Sequence, residues 1–300
     1  SLWQTLDASG FADAMLPDSQ GGAGLNLNEA FHLFALCGAH AVPLPLAETM
    51  WCRALLAAQA IAIPTGSITL ATGQCNAQGE LYAELVRMGR VADNVIVTDH
   101  ARAWLLSTRE AQQTPAGFAL DASLCWPAGA LAKATVLMQA PDVKTLQACL
   151  YAAQLSGALM SVFERTLQYA NDRQQFGRPI GKFQAIQHQL SVMSEHAFAA
   201  RMAAQLGCQS TTVHPERLRV AVAKARTSEA ALEVAALGHA IHGAIGFTAE
   251  FDLQLLTRRL HAWRQAGGSE SYWHTVLGQA LLDRPDAQVL ELIRDVADVH

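Results

Sequence analysis

Two short segments hold the residue types best suited to gripping a charged ligand. The first is Asp172-Arg173-Gln174-Gln175-Phe176-Gly177-Arg178-Pro179-Ile180-Gly181-Lys182-Phe183-Gln184. It places Arg, an aromatic ring, a Gly-Arg-Pro turn and Gln side by side between two apolar periodic stretches. Arginine offers a rigid fork of donors that matches phosphate oxygens. The free backbone N–H groups at the start of the following helix favour an anion as well. A diphosphate-bearing ligand fits this chemistry, and an ordinary polar interhelical loop is the competing reading. The second segment is Ile241-His242-Gly243-Ala244-Ile245-Gly246-Phe247-Thr248-Ala249-Glu250. Its glycines are three apart after a long helical pattern. They can stop a helix or leave bare backbone that a bulky group approaches closely.

These segments need elements to hold them. The chain has 300 residues, 51% hydrophobic and 16% charged, with a formal net charge of −5. That balance excludes a disordered chain and a nucleic-acid binder working through a broad basic face. No run of about 18 apolar residues is evident, so no membrane span is expected. The start, Ser1-Leu2-Trp3-Gln4, lacks the basic region of a secretory signal. Six scattered cysteines without a CxxC pair read as reduced, buried side chains of a cytoplasmic protein.

Three blocks follow. Residues 1–65 read as helices, broken at Leu16-Pro17-Asp18 and Gly21-Gly22-Ala23-Gly24, with Asn26 or Asn28 capping the next helix and another over about 47–60. Residues 66–138 carry short β-rich runs at 67–72, 94–98 and 103–107, which suggest a small antiparallel sheet or barrel. Residues 139–300 return to helical periodicity. Leu155, Leu159, Val162, Phe163 and Leu167 form one stripe. Further helices are predicted over 183–206, 215–241, 253–263 and 272–282, making a bundle.

With these motifs in order, the sequence resembles the acyl-CoA dehydrogenase family. Leu16-Pro17-Asp18 with Gly21-Gly22-Ala23-Gly24-Leu25 resembles its "LPE–GG-GL" signature, and Asp172 to Gln184 its "R-x-x-FG-x-x-I-x-x-FQ" segment. His242 to Asp252 resembles "HGGIGFT-E-D" of shorter bacterial members, followed by Arg258-Arg259 and Trp263. The resemblance implies a mostly α fold: N-terminal helices, a middle antiparallel β domain and a C-terminal four-helix bundle. It implies FAD, with the adenosine diphosphate end reaching a neighbouring subunit. Arg173 is then expected at the diphosphate of the partner chain, Gln175 and Phe176 beside it, and Ile180, Phe183 and Gln184 near the adenosine. Gly243 and Gly246 are expected to admit the diphosphate by backbone approach. The implied partners are an acyl-CoA substrate, a homo-oligomer (dimer or tetramer) or a heteromer with a homologous subunit, and an electron-carrier flavoprotein.

The sequence departs from the family in three places. The N-terminal block and middle domain are short, and Thr72 and Trp104 are only loose counterparts of the usual flavin-ring contacts. Ala240 stands where the family carries Gln, and Ala244 replaces a glycine. Above all, the carboxylate that removes the α proton is missing. Its usual position falls at Gly267 and its alternative on the first bundle helix at Gln147. Glu270 is the nearest carboxylate and the one candidate base. It also reads as an acidic first-turn residue complementing a helix dipole. His261 and His274 flank this stretch and are read as ordinary helix residues. Two functions remain: α,β-dehydrogenation of an acyl-CoA, or a catalytically silent subunit that supports FAD in a heteromer.

Overall fold

The computed structural model describes residues 2–284 and 288–297. Ten helices and ten strands are present among them. In chain order they are α1 (Leu2–Ala8), α2 (Leu27–Ala39), α3 (Leu46–Ala58), β1 (Ile68–Thr72), β2 (Gln74–Cys75), β3 (Leu81–Val86), β4 (Asn94–Asp99), β5 (Arg102–Ser107), β6 (Gln112–Pro115), β7 (Ala122–Trp126), α4 (Ala130–Lys133), β8 (Thr135–Val136), α5 (Val143–Asp172), β9 (Gln174–Gln175), β10 (Arg178–Pro179), α6 (Gln184–Gly207), α7 (Arg217–His242), α8 (Leu253–Gln265), α9 (Glu270–Leu282) and α10 (Val289–Ala297). They fall into two compact units. One comprises 1–30, 42–147 and 211–214; the other comprises 31–41, 148–210 and 215–300.

In the first unit the β-rich segment forms two four-stranded sheets, ordered β1-β4-β5-β8 and β2-β3-β7-β6. Every pairing is antiparallel except β1 with β4, which is parallel from Ile68↔Asn94 to Thr72↔Thr98. Strands β3, β6 and β7 were not read from the sequence. β3 alternates only in part, and β6 is wholly exposed, so neither carries a clean period-2 signal. The sheets bury Leu81, Val95, Val97, Leu124 and Trp126 between them. The buried Arg87–Asp121 ion pair, 2.6 Å, ties β3's end to the β7 approach while Asp121 also accepts from Met88 N–H. Trp104 is part of this core, as expected of a strand residue.

Helix caps account for the local starts. Asn26 accepts from Glu29 N–H at 3.0 Å and Glu29 accepts from Asn26 N–H at 2.9 Å, a reciprocal capping box. Asn26, rather than Asn28, is therefore the cap. Asp142 caps α5 through Thr145 N–H, and Glu216 caps α7 through Leu218 and Arg219 N–H.

The second unit is a helical bundle. Helix α7 has α6, α8 and α9 packed around it, so apolar residues surround it instead of forming one stripe. Leu155, Leu159, Val162, Met193, Val234 and Leu260 build the core. The α2–α5 crossing is unusually close: a Cβ on Gly157 would stand 1.8 Å from Ala35 O, and one on Gly38 1.9 Å from Gln154 O. Two stretches, α5 and Arg217–Phe247, are long and apolar enough to match a membrane span by length and composition alone, at mean hydropathy 1.3, as core helices also do; 78% of the α5 window is buried within the protein. In α5 it is uncharged polar residues such as Gln147, Gln154 and Ser156 that interrupt the apolar run.

Candidate functional site

The Arg173–Gln184 segment folds as a two-stranded hairpin between α5 and α6. Arg178 pairs with Gln175 and Pro179 with Gln174, leaving Phe176 and Gly177 as a two-residue loop. Both have positive φ, 53° and 76°, the pattern of a type I′ turn that suits the strand twist. Holding phenylalanine in this left-handed region costs roughly 1–2 kcal/mol. Little among the described residues covers its ring in return, Phe176 being 92% exposed. It meets only the edge of Phe183, at 6.2 Å, whose face carries the Arg178 guanidinium at 4.2 Å.

Arg173 is exposed. Its backbone is tied at both sides, N–H to Tyr169 O and its carbonyl to Ile180 N–H, each 2.8 Å. Among the described residues its guanidinium has no partner. Gln175 and Gln184 are exposed, and Ile180 and Phe183 are half-buried. Arg173, Arg178 and Lys182 thus form a small cationic patch around a bare aromatic ring.

The glycine segment lies at the same end of the bundle. Tyr169, one turn before Arg173, stacks on His242 at 4.3 Å and donates to His242 O at 3.3 Å. Gly243 follows immediately, exposed, at φ 64° and ψ −145°. A Cβ there would touch nothing, so the open backbone is accessible from outside. Gly246 differs. It is buried, and the room left by its missing side chain faces His242 Cβ at 2.9 Å and Leu253 at 3.4 Å. A groove of about 770 Å³ runs along the end of α7, lined by His239, Ala240, Gly243, Ala244, Phe247 and His261 among others.

The two histidines here are driven neutral. Burial lowers the His242 pKa, against the opposing effect of its bond to Gly238 O at 2.7 Å; burial also lowers that of His239. A carbonyl only accepts, so His242 Nδ1 carries the proton and Nε2 is left as a buried lone pair with no partner.

Gly267 and Glu270 lie at the opposite end of α8, a 13-residue helix about 20 Å long, away from Gly243. Glu270 opens α9 and forms an ion pair with Arg264, both side chains being under 20% exposed. One carboxylate oxygen, Oε2, is buried without a partner. The turn between α8 and α9 has positive φ at Gly267, 68°, and Gly268, 99°. Lys224, completely buried on α7, clamps this turn. Its ammonium donates to Arg264 O at 2.7 Å, Gly268 O at 3.0 Å and Ser228 Oγ at 2.8 Å. Trp273 Nε1 donates to Gly267 O at 2.9 Å. Sequence reading passed over Lys224; a lysine among the alanines of Val220–Ala231 was its only signal. In the other unit, Gln147 donates its amide to Leu70 O of β1 at 2.9 Å.

Residues 145–282 match the C-terminal domain of acyl-CoA dehydrogenases. The acyl-CoA dehydrogenase IpdE2 of Mycobacterium tuberculosis is 30% identical over 266 residues, covering 88% of this chain and 81% of that protein. The chain belongs to the acyl-CoA dehydrogenase family. Solved structures agree on the fold. The ChsE4–ChsE5 complex from Mycobacterium tuberculosis superposes with a TM-score of 0.81 at 21% identity, over 95% of this chain and 88% of the other. A Tcur3481–Tcur3483 steroid ACAD variant gives 0.80 at 23% identity, over 95% and 89%.

FAD, the cofactor this family implies, is compatible with the residues present. Arg173 is an unengaged guanidinium, Gly243 leaves its backbone open, and Phe176 offers an uncovered ring. The hairpin residues and Gly243, candidates for FAD, share one end of the bundle, whereas Glu270, the candidate base, lies at the other.

Proposed function

We propose that this chain is the FAD-supporting, catalytically silent subunit of a heteromeric acyl-CoA dehydrogenase. The observation that carries this reading is the state of the base positions. Gly267 has no side chain, the Gln147 amide is committed to Leu70 O, and the one nearby carboxylate, Glu270, is paired with Arg264. That ion pair engages the Glu270 carboxylate within its own chain, at the start of α9. A positioned base is typically worth about 10²–10⁴-fold in rate, so a chain without one relies on another subunit for turnover. The names of two structural neighbours, ChsE4–ChsE5 and Tcur3481–Tcur3483, join two components, which accords with a mixed assembly.

In this reading Arg173 binds the diphosphate of a flavin seated mainly in the homologous partner. Gly243 accepts its close approach, and Phe176 covers it and excludes water. The flavin, when bound, takes the β hydrogen of the acyl-CoA as hydride. The partner supplies the carboxylate that removes the α proton, and the electrons pass on to a carrier flavoprotein. Ile180 and Phe183 shape the adenosine end, beside the Gln184 amide.

Purified alone and reconstituted with FAD, the chain is expected to leave flavin absorbance unbleached by anaerobic acyl-CoA. Co-purified with its homologous subunit, it is expected to bleach. Bleaching by the chain alone would refute the silent assignment. The partnerless Oε2 of Glu270 favours a second reading, an active homomer using this carboxylate. Glu270→Gln separates the two: loss of turnover with flavin retained would identify Glu270 as the base.

A further inference from the structure

Two thiols of the helical unit face each other in its interior. Cys149 lies early in α5 and Cys208 caps the end of α6. Their sulfurs are 3.5 Å apart, and neither residue has any exposed surface. The Cys149 thiol also lies 3.3 Å from Gly207 O and donates to it. The Cys149 sulfur is therefore held by the backbone as well as by Cys208. A disulfide needs about 2.05 Å between sulfurs, so closure asks for a movement of about 1.5 Å, within the reach of small χ1 adjustments at two side chains. The proposed FAD and acyl-CoA functions use neither cysteine.

We propose that Cys149 and Cys208 form a latent dithiol that hydrogen peroxide converts to an intramolecular disulfide, stapling α5 to the end of α6. One thiol is oxidised to a sulfenic acid as peroxide is reduced and releases water. The second sulfur attacks it, the S–O bond breaks, and a second water leaves with the proton of the attacking thiol. Two thiols and one peroxide thus yield one disulfide and two waters, with two electrons transferred to the peroxide.

Burial sets the rate. It holds the Cys149 thiol well above its usual pKa, and the neighbouring Cys208 adds to that. The thiolate is the reactive form, so oxidation proceeds slowly, through local openings of the bundle. The disulfide, once formed, is equally shielded from reductants until the same openings occur. Cys52, by contrast, is buried against Thr69 O at 4.0 Å.

The test is peroxide treatment of the purified full chain, followed by alkylation, intact mass and non-reducing peptide mapping. The expected result is a loss of about 2 Da, reversed by dithiothreitol, with one cross-linked pair of peptides bearing Cys149 and Cys208. The oxidised protein should also unfold several degrees higher, since the new bond closes a long loop in the unfolded chain. Cys208→Ala should abolish both the mass loss and the shift while leaving the other thiols alkylatable. The proposal is overturned if the mass loss persists in Cys208→Ala, if Cys149 and Cys208 each collect only added oxygen, or if the oxidised protein unfolds at a lower temperature.

Discussion

Replacing Lys224 by Met tests whether the turn at the expected base position is held by a buried cation. The Lys224 ammonium has no exposed surface and serves three acceptors: the carbonyls of Arg264 and Gly268 and the Ser228 hydroxyl. Methionine fills a similar volume and removes all three donors. Each orphaned buried carbonyl costs about 1–3 kcal/mol. Ser228 Oγ already stands 3.4 Å from Arg264 O and can recover part of one loss by turning its hydroxyl there. The removal of a buried charge offsets a further part. A net destabilisation of about 3 kcal/mol remains. For a protein of this size that corresponds to a fall in Tm of roughly 5 °C. Urea unfolding followed by circular dichroism measures it. Hydrogen exchange at the Gly267–Ser269 turn should accelerate, while the Phe176 hairpin at the other end of α8 should not change. A Lys224→Met protein within about 0.5 kcal/mol of the parent would refute the claim that the ammonium organises the turn.

Arg173→Ala should lower flavin occupancy of the co-purified complex severalfold with unchanged Tm, because the guanidinium is exposed and holds nothing in its own chain; unchanged flavin content, read by absorbance against protein, would count against the cofactor assignment. Gly157→Ala should destabilise the bundle by several kcal/mol, since its Cβ would meet Ala35 O at 1.8 Å and overpacking of this kind forces helices apart; an unchanged Tm would contradict the α2–α5 contact. Burial depresses the His242 pKa from 6.5, so the unfolded chain binds a proton more readily than the folded one. Stability should therefore be complete above about pH 6.5 and fall as the pH drops through that value toward the lower folded pKa. His242→Phe should flatten this part of the stability profile, and an unaltered slope would show that the imidazole is not the group responsible.

Much of the architecture was legible before any coordinates, because it rests on local rules. The long helices follow from apolar spacing along α5 and α6, and a cap at Asn26 or Asn28 from residue type, the structure choosing Asn26. The hairpin position follows from Phe176-Gly177 between two helical patterns. The parallel β1–β4 pairing was not legible, since neither strand encodes which way its neighbour runs. Apolar spacing placed the start of α9 at Tyr272, two residues late, whereas the reading of Glu270 as an acidic first-turn residue agrees with the helix beginning there.

The side chains around the site divide in the same way. Residue types and the family resemblance together pointed to Arg173, Phe176 and Gly243 as candidates for a diphosphate ligand, and to Gly267 and Gln147 as residues that cannot act as bases. A glycine has no carboxylate whatever its surroundings, and an arginine remains a cation in any fold. Only the tertiary structure showed which groups stand beside Glu270, because its ion pair with Arg264 and the Lys224 clamp on the same turn join residues six and more than forty apart in sequence. A carboxylate's neighbours across the chain are set only when α7 packs against α8 and α9.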